Sequence, residues 1–246
     1  MIPGPKAAQG PEGELGREGG AGLRDEVAEA ANVMARLGLV TAYGHVSARA
    51  GDAMLITPAA DLACVTGSGL IEIPLQASGT LPAGAPAEAW AHLALYRARP
   101  DAAAIARAQP ASTFAVAAAV SLLVPLHGQA AWLGESVPVH GDAALLRSPE
   151  QAERAASSLP DGEALLLRGN GAVTLGATPG LAVARMWLLA AACDVYLAAL
   201  AACGASPVIP LSAGEIASWR AVGGELLPRL WQHLRHSGAG PGEEQG

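Results

Sequence analysis

The chain has 246 residues, of which 51% are hydrophobic, and carries a formal net charge of −7. That much apolar material can bury the core of one large domain or two small ones. The acidic balance without a basic cluster argues against a nucleic-acid partner. The only lysine, Lys6, sits in a Pro/Gly-rich leader, which argues against Schiff-base catalysis, a chemistry that needs a desolvated amine in a pocket.

Residues 1–22 are rich in Gly, Pro and Glu and are expected to be a disordered leader; residues 237–246 are expected to be a disordered tail, leaving one domain over 23–236. Val27, Ala31, Met34 and Leu37 recur at helical spacing, so Arg24–Leu37 reads as a helix stopped by Gly38. A turn at Tyr43-Gly44 leads into a short strand, and Ala53–Thr57 reads as a second strand closed by Pro58. A third strand is expected within Gly67–Ser78, and a helix over Pro86–Arg97, which Pro100 stops. Ala102–Ala108 is a continuous apolar run expected as a buried strand, followed by a helix over Ala111–Val120. Short strands and loops alternate from Leu122 to Val139. Ser148-Pro149 is a helix start, with Ser as N-cap and Pro in the first turn. Ala164–Leu167 and Ala172–Leu175 are strands flanking Arg168-Gly-Asn-Gly171; a long helix opens at Thr178-Pro179, and a last one at Ser212-Ala-Gly-Glu215, which has capping-box spacing. The order gives an α/β (α+β layered) domain with a central, mostly antiparallel sheet covered by helices.

Cys64, Cys193 and Cys203 are scattered, without CxxC spacing, which suits a reducing compartment and buried small apolar roles. No apolar signal-peptide core occurs in the first 22 residues, and Arg185 and Asp194 interrupt the apolar stretch Leu181–Cys203. A cytoplasmic protein without membrane or nucleic-acid partners is expected.

The segment Glu88-Ala-Trp-Ala-His92-Leu-Ala-Leu-Tyr96-Arg-Ala-Arg-Pro100-Asp101, followed by Ala-Ala-Ala-Ile-Ala-Arg107-Ala-Gln109, resembles the metal-site segment of the class II aldolase/adducin family. Gly44-His-Val-Ser-Ala-Arg49 resembles the family's Gly-Asn-Val-Ser-x-Arg loop, and Leu55-Ile-Thr-Pro58 its Ile-Thr-Pro-Ser-Gly turn. Leu165-Leu-Leu-Arg-Gly-Asn-Gly171 is similar to the segment carrying the family's third metal ligand. The resemblance spans about Leu23 to Glu215 and rests on the order of its motifs more than on any one of them. It implies a class II aldolase-like single domain, a Glu at position 88 that moves protons, and a homotetramer with its site between subunits.

The departures are chemical. The three metal-binding histidines of the pattern are Arg107, Gln109 and Asn170 here. Guanidinium is permanently cationic and repels a divalent ion, and carboxamides are weak donors for zinc-like metals, so neither a metal nor another cofactor is expected. The phosphate-holding positions read Ala59-Ala60 and Pro86-Ala87, which have lost donors, so a phosphorylated substrate is not expected. The candidate catalytic residues are Glu88, His45 and Arg107, and the candidate substrate-binding residues are Gln109, Asn170, Arg49, Thr57 and His127.

Two functions fit. The first is a metal-independent lyase or isomerase acting through an enol on a non-phosphorylated carbonyl or carboxylate small molecule, with Arg107 and the two amides in an oxyanion role. The second is a non-catalytic, adducin-like assembly module. A closed Arg107–Glu88 pair without a cavity would favour the second, and an open pocket with a free guanidinium face the first. Replacing Arg107 by Ala, or Glu88 by Gln, is expected to abolish activity without disturbing the fold.

Overall fold

The structure is a computed structural model that describes residues 12–204 and 206–237. The expectation for the first eleven residues and that for residues 238–246 lie outside the described residues. Eight strands form one sheet: β1 His45–Ala50, β2 Ala53–Ile56, β3 Ile71–Pro74, β4 Ala104–Ala108, β5 Leu122–Leu123, β6 Val137–His140, β7 Ala164–Leu167 and β8 Gly171–Gly176. Their order is β3-β2-β1-β4-β8-β7-β6-β5, and every neighbouring pair is antiparallel except β6 with β7.

Helices cover both faces because the strands alternate. Val46 and Ala48 of β1, Ala104, Ala106 and Ala108 of β4, and Ala164 and Leu166 of β7 belong to one core. That core is closed by α1 Glu12–Arg36, α3 Ala111–Ala119, α5 Pro179–Cys203 and α7 Gly223–His236. Ile105 of β4, Leu165 and Leu167 of β7, and Val173 and Leu175 of β8 face the second core, closed by α2 Ala89–Ala98 and α4 Pro149–Ala156. The two-residue period of a strand thus sorts the sequence into two cores. Three alanines on one side of β4 leave room for α5 to lie close against it.

Among the described residues α5 is the one helix long and apolar enough to cross a membrane by length and composition. It packs against β4, β8, α1, α3 and α7. Its Arg185 donates to the carbonyls of Leu175 (2.9 Å) and Trp132 (3.3 Å), which ties it to the sheet and the turn beside it.

Three elements differ most from expectation, while α2 starts at Ala89 rather than Pro86 and β4 at Ala104 rather than Ala102. α1 begins at Glu12, well before Arg24 and inside the leader. The Gly67–Ser78 strand shrinks to Ile71–Pro74, preceded by a 3-10 turn at Gly67–Gly69. The last helix is two, α6 Ala213–Ala221 and α7, broken at Val222. The break places Gly223 against the indole of Trp132, where an added Cβ would lie 2.9 Å from the ring. The Ser212–Glu215 capping box opens α6 as its spacing predicts.

Candidate active site

The register of the sheet sets His45 directly opposite Arg107 on β1 and β4, and Arg107 opposite Val173 on β8. Arg107 shares its face with Ile105, so its side chain enters the layer beneath α2. The β7–β8 hairpin turns through Arg168-Gly169-Asn170, with the Asn170 N–H bonded to the Leu167 carbonyl at 2.9 Å. Gly169 and Gly171 have φ of +68° and +79°. At Gly171 glycine is required twice over, because a Cβ there would also sit 2.3 Å from the Ala108 carbonyl. This tight turn brings Asn170 over the end of β4.

Glu88, Arg107, Asn170 and Gln109 meet there. The Arg107 Nη2 lies 2.8 Å from Glu88 Oε2 and donates to Asn170 Oδ1 at 2.5 Å. Asn170 Nδ2 donates to Glu88 Oε1 at 3.1 Å, and Gln109 Nε2 to Asn170 Oδ1 at 3.3 Å. Arg107 is 1% exposed at its side chain and Glu88 12%. Glu88 precedes the first turn of α2 as its N-cap, yet its side chain caps nothing. The carboxylate is turned inward to the guanidinium instead. Arg107 Nε and Nη1, His45 Nδ1 and His92 Nε2 are buried without a partner.

Below this group runs a polar stripe. Glu88, His92 and Tyr96 recur every four residues along α2, and His45, Ser47 and Arg49 every two along β1. The two rows face each other. Ser47 Oγ hydrogen-bonds His92 Nδ1 (2.7 Å) and the Tyr96 hydroxyl (2.9 Å), and the His45 and His92 rings meet edge-on at 5.8 Å. Burial holds the His45 imidazole well below its usual range, with His92 and Arg107 pushing the same way. Burial, followed by the Arg107 charge, lowers His92 to about 3. Burial raises the Tyr96 phenol well above its ordinary range. Burial lowers the Arg107 guanidinium, opposed by Glu88. Ser47 and Tyr96 were not singled out as site residues by sequence; the signal was the coincidence of a four-residue period in α2 with a two-residue period in β1.

Three candidates do not join the group. Arg49, at the other end of β1, donates to the carbonyls of Ala102, Tyr96 and Arg99 and stacks over the Tyr96 ring, so it anchors the end of α2. Thr57 is fully buried and bridges β1 to β2: its Oγ1 accepts from Val46 N–H and its N–H donates to the Val46 carbonyl. His127 precedes the 3-10 turn Gly128–Leu133, which packs on α6 at the opposite end of the sheet. Arg168 donates to the Gly141 carbonyl at 2.6 Å.

The larger cavities also lie away from the group. One of about 590 Å³ and one of about 500 Å³ share Glu135, Ser136 and Arg220 near α6. None of the cavities identified is lined by Glu88, Arg107 or Asn170. The pair is therefore closed, with a guanidinium that is only half satisfied. Arg107, Gln109 and Asn170 do not suit a divalent ion, because a fixed cation fills the centre of the set. Among the described residues no three His, Cys, Asp or Glu side chains gather to hold one.

The architecture has known counterparts. The chain is similar to L-fuculose-1-phosphate aldolase from Thermus thermophilus (30% identity, covering 75% of this chain and 98% of that one, TM-score 0.66). It is also similar in fold to L-fuculose 1-phosphate aldolase from Glaciozyma antarctica (23% identity, 94% of each chain, TM-score 0.73). An aldolase II superfamily protein from Pseudomonas syringae shares the fold as well (23%, 87% and 90%, TM-score 0.72). No curated protein sequence matches. The family model described as Class II Aldolase and Adducin N-terminal domain matches residues 25–197, and the chain belongs to that family.

Proposed function

We propose that this protein is a metal-independent lyase or isomerase that handles a non-phosphorylated carbonyl or carboxylate compound through an enol-type intermediate. The observation that carries the reading is the unfinished state of Arg107. A buried guanidinium with two nitrogens unpartnered, beside an unpartnered His45 Nδ1, costs free energy that a purely structural cluster would avoid. Such a group suits an incoming anion or a developing oxyanion. Glu88 is the proton-transfer group and His45, kept neutral by burial, a second acid/base. Arg107 with the Gln109 and Asn170 amides supplies fixed dipoles and charge to the substrate oxygen.

The phosphate-binding turn supports an unphosphorylated substrate. The Ala59 N–H is bonded to the Gly84 carbonyl and the Ala60 N–H to that of Pro58, so neither amide is free to hold a phosphoryl group. A cytoplasmic homotetramer with the site between subunits completes the reading.

The test is deuterium exchange. Protein of known metal content is incubated in D2O with unphosphorylated hydroxyketones and 2-oxo acids, and exchange at the carbon beside the carbonyl is followed by NMR. Exchange at background metal content that is lost in Glu88→Gln is expected. Stoichiometric zinc, iron, manganese or cobalt with chelator-sensitive exchange would overturn metal independence.

The closed Glu88–Arg107 pair, which lines neither of the two larger cavities, favours a second reading, a non-catalytic assembly module. Absence of exchange with every compound, in a protein that assembles normally, would select it.

A further inference from the structure

The His45 ring lies where the buried polar stripe meets the Glu88–Arg107 group, and its two nitrogens have different surroundings. Nδ1 is sealed in the interior without a partner, and the residue is 8% exposed, which leaves Nε2 on the accessible side of the ring. The groups around it are Arg107, directly opposite on β4, and His92 of α2, edge-on at 5.8 Å. Both act against a charge on His45, and no carboxylate offsets them, because Glu88 is taken up by Arg107 and Asn170. A neutral imidazole carries one N–H, and the surroundings of its two nitrogens decide where that proton sits. On Nδ1 it would be a sealed donor beside a guanidinium, with no acceptor. On Nε2 it leaves a lone pair on the buried side, which the Arg107 cation favours, and sets the N–H where a ligand oxygen can accept it. Resting on the enol reading above, we propose that His45 is held as the Nε2–H tautomer and donates that hydrogen bond to the substrate's carbonyl oxygen as it becomes an enolate oxygen, and that His92 is the positioning residue that keeps the ring so turned.

His92 suits this part because it is tied down. It is fully buried, its Nδ1 lies 2.7 Å from Ser47 Oγ, and Ser47 Oγ lies 2.9 Å from the Tyr96 hydroxyl, one turn further along α2. The chain fastens α2 to β1 two residues from His45. The backbone entering His45 is fixed as well: an added Cβ at Gly44 would lie 2.4 Å from Val40 Cγ1 and 3.1 Å from the Arg107 carbonyl. A division of labour follows. With its lone pair buried, His45 offers a substrate C–H nothing to take the proton, so it is a donor and not a base. Burial keeps the ring uncharged, and a neutral imidazole N–H is competent to polarise a carbonyl. Proton removal is left to Glu88, and Arg107, 1% exposed at its side chain, adds its charge from beneath.

The tautomer is read directly by 15N NMR of histidine-labelled protein at neutral pH, with His45→Gln identifying the His45 signals. A proton on Nε2 alone is expected; a proton on Nδ1 would overturn the inference. The donor role is tested by deuterium exchange in variants. Gln sets an amide N–H about where Nε2 stands and has no basic nitrogen, whereas Asn reaches only as far as Nδ1. His45→Gln should keep exchange within about tenfold of wild type, while His45→Asn and His45→Leu should fall by about a hundredfold. A Gln variant as weak as the Leu variant would make His45 a base. An inflection near about pH 6.5 that disappears in His45→Gln would do the same. His92→Asn keeps a polar partner for Ser47 but removes the ring beside His45. It should give mixed His45 tautomers and a lower kcat at unchanged KM; a single Nε2–H signal with wild-type kcat would remove its positioning role. If that variant does not fold, Tyr96→Phe, which unties Ser47, should show the same change in milder form. No exchange with any compound, beside an Nε2–H ring, would instead remove the enol reading and the donor role with it.

Discussion

Arg107 is the residue on which the site turns. It is among the largest fully buried side chains, so its replacement is expected to disturb the fold, a point the sequence alone did not raise. Removing one partner of a buried pair leaves an uncompensated charge, at a cost of about 3–5 kcal/mol. Arg107→Met should therefore lose roughly that much stability in urea unfolding. Arg107→Met/Glu88→Gln should recover most of it, because no charge is left stranded; an additive double variant would show that the two residues are not coupled. His92 gives a second prediction at this scale. Its neutral form is favoured in the folded state and its folded pKa is about 3, whereas the unfolded imidazole titrates near about 6.5. Between these values the unfolded chain binds the proton and the folded chain does not. Stability is full above about pH 6.5 and falls as the pH drops toward 3. His45, Arg107, Ser47 and Tyr96 surround the ring and none offers it a negative charge, while Glu88 is held by Arg107. His92→Asn should flatten this acid limb of the melting temperature; an unchanged slope would assign the limb to other groups.

At the scale of elements, the two glycines that matter most for helix packing accept tryptophans. Gly180 lies in the first turn of α5, and a Cβ there would come within 2.2 Å of Trp231 on α7. Gly128 stands in the same relation to Trp219 on α6, at 1.8 Å. Helix propensity alone favours Ala over Gly by about 1 kcal/mol. Overpacking costs about 1–3 kcal/mol and wins here, because the indole is rigid and the helix pair has little room. Gly180→Ala is expected to lower the melting temperature and shift the tryptophan emission. A stabilised Gly180→Ala protein would mean that α7 is free to move away. Gly223, just after the break between α6 and α7, meets Trp132 in the same way, with an added Cβ 2.9 Å from the indole.

For the whole molecule, the described surface leaves several large apolar side chains outside. Ile209 is 89% exposed, Trp219 41% and Val222 40%, all on or beside α6 and α7. Apolar side chains gathered on one region often mark an interface. Light scattering on the purified protein should therefore give a mass several times the 24.6 kDa of one chain, with four copies expected from the resemblance. A monomer at micromolar concentration would remove the intersubunit site.

Much of the fold was legible in the residues themselves. The continuous apolar run of β4, the Ser148 and Ser212 caps, and Pro149 and Pro179 at helix starts are local signals, and local signals act within a few residues. The family was legible too, because Glu88–Asp101 and the Gly44–Arg49 loop keep their order along the chain. The candidate site was legible only in part. Glu88, Arg107, Gln109 and Asn170 were chosen from the motifs and do converge, whereas Arg49 and Thr57, chosen the same way, are taken up by backbone carbonyls and by the β1–β2 pair, and His127, chosen as a loop histidine, lies at the far end of the sheet. What the sequence by itself determined was which chemical groups are available: a fixed cation, a carboxylate, two amides and an imidazole, with little to hold a divalent metal. Only the tertiary structure decided how they are used. Strand register and the Gly169–Gly171 turn bring residues up to 82 positions apart into hydrogen-bonding distance, and no local periodicity specifies whether a carboxylate so placed points to its own helix or to a guanidinium on β4.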